Sequence, residues 1–297
     1  GQSISLNQAN TFSSAVTFVP LSGTITAVTI RDSTALELQA LTTTGDLTVT
    51  AGGAVTQSGT LVIPGTTTIS AVNGSSVKQD VTLGDSSNNF GTTAITGANV
   101  AITDTNAIIL GASTVSGTYT VTAGGAVTDS GTQEITGVTT ISASGHNVTL
   151  NTATNNFQGA VGITGATVAV VDAGAIALGA SVVSGTYTVT ATAGGGITNT
   201  GVLAITNGAT FKVDGGQSIS LNQANTFSST VTFTPLSGTI TAVTIRDSND
   251  FDLKALTTTG DLTVTAGGAV TNSGTLVIPG TTTISASGHA VTLNDSS

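Results

Sequence analysis

The stretch Leu47-Thr48-Val49-Thr50-Ala51-Gly52-Gly53 decides the fold. Apolar and hydroxyl side chains alternate at period two, as in a half-buried β-strand, and a Gly pair ends the run. The same phrase returns as Tyr119-Thr120-Val121-Thr122 before Ala123-Gly124-Gly125, and as Leu262-Thr263-Val264-Thr265 before Ala266-Gly267-Gly268. It returns again as Tyr187-Thr188-Val189-Thr190, with Ala193-Gly194-Gly195 behind it. The Ala-Gly-Gly tripeptides are 72, 70 and 73 residues apart. An Asn-x-Phe element keeps the same rhythm at Asn10/Phe12, Asn88/Phe90, Asn155/Phe157 and Asn225/Phe227. Self-similarity at a fixed period marks a repeat array, in which each unit buries its apolar side only by stacking on its neighbours.

A longer identity overlies this period. Residues 1–71 recur as 216–286, with eight differences in 71 positions. The differences report which side faces inward. Ala15 and Val19 become Thr230 and Thr234, while Val16 and Phe18 return as Val231 and Phe233. Ala35, Glu37 and Gln39 become Asp250, Asp252 and Lys254, while Leu36 and Leu38 become Phe251 and Leu253. One face drifts among polar residues and the other stays apolar. Val16, Phe18, Leu36, Leu38 and their copies are therefore expected inside, with Ala15, Glu37, Thr230 and Asp252 outside.

These features predict an all-β chain, a parallel β-helix (β-solenoid) of about 70-residue modules, roughly three coils each. The reading is one continuous array over 1–297, with modules at approximately 1–76, 77–145, 146–215 and 216–288, and 289–297 opening a further module. Coils of about 23 residues give about thirteen coils, a length of roughly 60 Å at the interstrand spacing. Such a core is narrow and needs few aromatics, which are 3% of this chain. Small β-sandwiches are the rival, but Trp and Cys are absent and only two Tyr are present.

Bulk chemistry narrows the functions. Only 7% of residues are charged and the net charge is −10. Five basic residues do not neutralise a phosphate backbone, so no nucleic-acid partner is expected. The long apolar segment 159–183 alternates and is rich in Gly, Thr and Ser; it reads as strands, and no membrane insertion is expected.

The module pattern Val-Thr-Leu-Asn, Asn-Asn-Phe, Ile-Thr-Gly-Ala, Ser-Gly-Thr-Tyr-Thr-Val-Thr-Ala, Gly-Thr-Thr-Thr-Ile-Ser-Ala resembles the repeat regions of filamentous haemagglutinin-like, β-strand-repeat bacterial surface exoproteins. The resemblance implies a parallel β-helix shaft, an extracellular location at the bacterial cell surface or in a secreted fibre, and adhesive or scaffolding use.

Candidate site residues are weighed against that frame. Asp32, Asp104, Asp172 and Asp247 share one module position. A calcium ladder would need six to eight oxygens per ion, and no second carboxylate recurs beside them. An Asx-type turn, in which the carboxylate accepts local N–H groups, is the expectation. Asn10, Asn88, Asn155 and Asn225 are expected to bond along the stack, with Phe12, Phe90, Phe157 and Phe227 plugging a corner. Arg31 and Arg246 are replaced by Thr103 and Val171 in other modules, which argues against a catalytic Arg. His146 and His289 occupy one turn with no Cys partner. Thr48/Thr50 and their copies raise an ice-binding face, but intervening coils are expected to carry mixed residues.

The resulting expectation is a non-catalytic extracellular structural protein, the β-solenoid shaft of an adhesin or filament, with no cofactor and no metal. A carbohydrate- or calcium-binding surface module is the alternative, and an ice-binding protein a third. Expected partners are further copies of the chain stacked end to end, or further repeats, together with a host or neighbouring cell surface.

Overall fold

The computed structural model describes residues 1–294, in two compact units, Gly1–His146 and Asn147–Ser297. Every regular element among the described residues is a β-strand. Every named strand pairing within a unit is parallel. Inward and outward residues alternate, so Leu47-Thr48-Val49-Thr50-Ala51 buries its first, third and fifth side chains. β-Branched residues suit this surface because one face packs while the other is half wet.

In the first unit one sheet stacks Val28 on Leu47, Leu47 on Thr67 and Thr67 on Thr93. The steps are 19, 20 and 26 residues, the last enlarged by residues 72–80, which bend back through the antiparallel bridge Val72↔Lys78. The chain then passes Ala98 and Asn99 and enters the other sheet, where Val100 lies on Val81 and Val81 on Val55. Val28-Thr29-Ile30-Arg31-Asp32 and Val100-Ala101-Ile102-Thr103-Asp104 are the same module position. A module thus makes three turns and then crosses sheets, about three and a half turns in all.

The second unit repeats the device. Val168 stacks with Tyr187, Tyr187 with Ala209 and Ala209 with Val231. The equivalent strand Val243–Asp247 then lies in the other sheet, between Ile219–Phe227 and Leu262–Ala266. This corrects the expectation of three 23-residue coils per module. Seven stacked levels occur in the first unit and eight in the second, against about thirteen expected in total.

The core is a column of Val, Ile and Leu. In the second unit it also holds an aromatic cluster, with Phe211 6.1 Å from each of Tyr187, Phe227 and Phe233. The expected inward set is buried at Leu36, Leu38, Val231, Phe233, Phe251 and Leu253. Val16 and Phe18 are only half-buried, and so is Ala15, because segment 11–24 touches the sheet through the single bridge Val16↔Leu38. Asp252 is half-buried rather than exposed, being drawn onto Lys254.

The Gly pairs have a steric reason. A Cβ on Gly53 would fall 2.6 Å from Ala35 N, and one on Gly125 2.5 Å from Ala107 N. The third Ala-Gly-Gly is displaced: Ala191, not Ala193, lies over Asp172, and Thr192 N makes the bond to Asp172 O that Gly52 N makes to Asp32 O.

Val49 is fully buried between turns. Val49→Asp places an unpaired charge there and is expected to lose at least about 3 kcal/mol in urea unfolding. Thr48→Asp, one residue away on the outer face, is expected to change it by less than about 1 kcal/mol. Equal losses would contradict the inward register.

Candidate functional site

The recurring Asn, Phe and Asp side chains meet in one arrangement. Asn88 is fully buried. Its amide nitrogen donates to Leu83 O and Thr103 O, 3.3 Å each, and to Gln57 Oε1 at 2.9 Å. Its oxygen accepts from Gln57 Nε2 at 2.8 Å and Leu61 N at 2.9 Å. Asn225 repeats this with Leu221 O, Arg246 O, Asn199 Nδ2 and Leu203 N. Asn10 donates to Leu6 O and Arg31 O. Asn155 is fully buried.

The Asp of the next level completes the contact. Phe90 N donates to Asp104 Oδ2 at 2.6 Å, Phe157 N to Asp172 Oδ2 at 2.6 Å and Phe12 N to Asp32 Oδ2 at 3.1 Å. The other carboxylate oxygen accepts the N–H two residues on, from Thr34, Asn106 or Gly174. The residue after each Asp donates its N–H back to the Asn carbonyl, as Ser33 N to Asn10 O, Thr105 N to Asn88 O, Ala173 N to Asn155 O and Ser248 N to Asn225 O. Asn-x-Phe and Asp are therefore two halves of one latch between successive levels. Their separation, 22, 16, 17 and 22 residues, holds the one-turn spacing that identifies the pairing.

Asp247 departs from the pattern. Its Oδ1 accepts both Phe227 N at 3.2 Å and Asn249 N at 3.3 Å, and its buried Oδ2 has no partner. Burial raises the carboxyl pKa of Asp104, Asp172 and Asp247 above the ordinary value, outweighing the N–H donors that pull it down; for Asp247 the charge of Asp250 adds to the rise.

The module-equivalent Asp residues within a unit do not form a ladder. Asp32 and Asp104 lie in different sheets of the first unit, as do Asp172 and Asp247 in the second. At about three and a half turns they are roughly 17 Å apart along the stack. Among the described residues no three His, Cys, Asp or Glu side chains group so as to hold a metal ion. His146 and His289 are exposed, their N–H groups closing turns onto Ala143 O and Ala286 O.

Outward Thr side chains stack further than expected. Thr29, Thr48 and Thr68 follow one another, as do Thr244, Thr263 and Thr283. Each column is short: Thr68 is followed by Ala94, and Arg31 and Arg246 begin the neighbouring columns. Among the described residues no helix is long and apolar enough to cross a membrane.

The latch corner also borders an open groove. Phe227, Ser228, Ser229, Thr230, Asn249, Asp250, Phe251, Asp252, Ala269 and Thr271 enclose ≈ 550 Å³. The matching corner of the first copy, from Phe12 to Thr56, encloses ≈ 230 Å³.

A family model described as "Repeats of unknown function (DUF5649)" matches the chain four times, over residues 25–96, 97–164, 165–234 and 240–297. Each match begins three residues before Val28, Val100, Val168 or Val243, where the chain enters a new sheet. No curated protein and no solved structure matches the chain.

Two outcomes follow from the latch. Asn225→Ala strips partners from Leu203 N, Arg246 O and Asn199, and is expected to destabilise by about 3 kcal/mol or more in chemical unfolding. Asn10→Ala, with two partners and a half-exposed site, is expected to cost about 1 kcal/mol. Equal costs would contradict the latch. The raised Asp values set a pH dependence. In the window from the ordinary carboxylate value up to the raised ones, the folded chain binds more protons than the unfolded chain. Stability therefore falls as pH rises through that window and is highest below it. Melting followed by circular dichroism is expected to shift upward as pH falls from 7 into the carboxylate range; a downward shift would contradict the buried, under-bonded carboxyls.

Proposed function

Because the chain belongs to this DUF5649 repeat family, matched over nearly its whole length, we propose a function that repetition itself supplies: a non-catalytic structural shaft. The observation that carries this reading is how the recurring polar residues are used. The Asn and Asp side chains that return in every module bond successive levels to each other, rather than converging on one reactive point. A catalytic site needs a nucleophile, base and oxyanion donors brought together once. Here the polar interior instead repeats along the stack.

We further propose that the shaft is that of an extracellular adhesin or surface filament of the filamentous haemagglutinin-like kind, located at a bacterial cell surface or in a secreted fibre. The low charge, the Gly- and Thr-rich strands and the repeat pattern support it. Parallel levels leave unpaired N–H and C=O groups wherever a level is uncovered, and these pair readily with another chain. Further repeats, or further copies stacked end to end, are the proposed partners, with a host or neighbouring cell surface as the attachment target.

Negative-stain electron microscopy and fibre diffraction test the shaft. Elongated particles and a reflection near ~4.8 Å along the long axis are expected. Compact globular particles, or turnover of a substrate in an activity screen, would overturn the reading. EDTA is expected to leave the melting midpoint unchanged; a large fall would favour the calcium-binding alternative.

A further inference from the structure

We propose that the groove over Phe227–Thr230, Asn249–Asp252 and Ala269–Thr271 binds an alkylammonium group, the chemistry of a lysine side chain or of a free polyamine. The first observation is where the two long copies differ. Of the eight positions that changed between 1–71 and 216–286, five line this one groove: Thr230, Asn249, Asp250, Phe251 and Asp252. The scaffold around it is retained. The groove is more than twice the volume of its counterpart, and three polar groups stand where Ala15, Thr34 and Ala35 line the first copy's corner.

The second observation is the donor and acceptor inventory. Asp252 is fully engaged: Lys254 Nζ, Ser273 Oγ and Thr271 Oγ1 donate to it at 2.6, 2.7 and 3.2 Å. The only cation beside the groove is thereby committed. Asp250 is exposed, and its Oδ1 accepts only Ala269 N, at 2.7 Å, leaving Oδ2 open. The Asn249 amide nitrogen turns to Phe227 O at 3.5 Å, which leaves its oxygen as an acceptor. The hydroxyls of Ser228, Ser229 and Thr230 are exposed around them. The open groups are thus a carboxylate oxygen, an amide oxygen and hydroxyls that accept as readily as they donate. Nothing on the wall offers an uncommitted positive charge.

The third observation lies behind the wall. Asp247 is 3% exposed, its Oδ2 has no partner, and its Oδ1 holds the N–H groups of Phe227 and Asn249, two lining residues. Two carboxylates, Asp247 and Asp250, therefore oppose each other at one corner with no neutralising cation. A bound cation relieves that repulsion. A calcium ion is a poor match, because it takes six to eight oxygens and no three acidic side chains group here. A guanidinium is a poorer match than an ammonium: bidentate pairing needs both carboxylate oxygens, and one of Asp250 is held by Ala269 N. A primary ammonium brings three N–H donors on a compact charge, matching three acceptors around one point.

The site needs only the solenoid fold, so its failure and that of the shaft reading are separable. The test uses the whole isotope-labelled chain, titrated at low salt and followed by amide shifts in NMR. The probes are spermidine, a blocked Gly-Lys-Gly peptide, the same peptide with acetylated lysine, and a neutral oligosaccharide. Asn249 and Ala269 amides are expected to move with spermidine or the lysine peptide, and not with the acetylated peptide. A response to the peptide points to a protein partner, and one to spermidine alone to a free polyamine. Asp250→Asn keeps the acceptor for Ala269 N and removes the charge; it is expected to weaken binding at least about tenfold. Glu134→Gln, exposed in the first unit, removes the same net charge and is expected to change nothing. Ala35→Asp is expected to create a weak response at the first-copy corner. Equal weakening by Asp250→Asn and Glu134→Gln, equal response to the acetylated peptide, stronger oligosaccharide binding, or no shift with either amine would each overturn the proposal.

Discussion

Successive turns must stack in parallel at the interstrand distance, with backbone N–H and C=O groups bonded to the turns above and below. Everything else in the structure answers to that constraint. It fixes a side-chain period of two, so alternate residues enter a dry column. It brings corner backbones so close that a Cβ on Gly53 or Gly125 has no room. It also forbids an unpaired polar side chain inside, because desolvation without a partner costs more than a single hydrogen bond returns. The latch of Asn, Phe and Asp meets that last condition at the corner where the chain turns most sharply.

The crossover between sheets gives the repeat its character. A module of a whole number of turns would place every recurring feature on one face, as a ladder. Three turns plus a crossing instead send Asp32 and Asp104 to different sheets within the first unit, and Asp172 and Asp247 to different sheets within the second. Like features are separated, which disfavours a continuous metal ladder or a single uninterrupted Thr face. A feature present once per module is thereby displayed in two directions, a useful property for a shaft that bridges surfaces.

The alternating strands, the solenoid class and the inward residues Leu36, Leu38, Val231 and Leu253 were legible because periodicity and internal drift report burial directly. The crossover was not legible. Leu47-Thr48-Val49 and Tyr119-Thr120-Val121 read alike, and nothing in an alternating strand says which sheet it joins. Only the short joint between two long strands, as at Ala98-Asn99 or Ala166-Thr167, carries that information, and it resembles any other bend. The latch was half legible: its Asn, Phe and Asp were visible as separate recurrences, but their union depends on the turn length. Val16 and Phe18 carried the right pattern and met too little cover. The groove was invisible as a cavity, although its variable residues stood among the eight differences.

The central claim is the three-and-a-half-turn module, and distances between paired spin labels test it most directly. The chain has no Cys, so labels attach only at introduced ones. Thr29 and Ala94 are three levels apart in one sheet, whereas Thr29 and Ala101 differ by one module and lie in different sheets. The account predicts a separation near ~14 Å for the first pair, and one longer by at least about 10 Å for the second, since the second spans the core as well as the stack. Closely similar distances for the two pairs would place both on one face and contradict it.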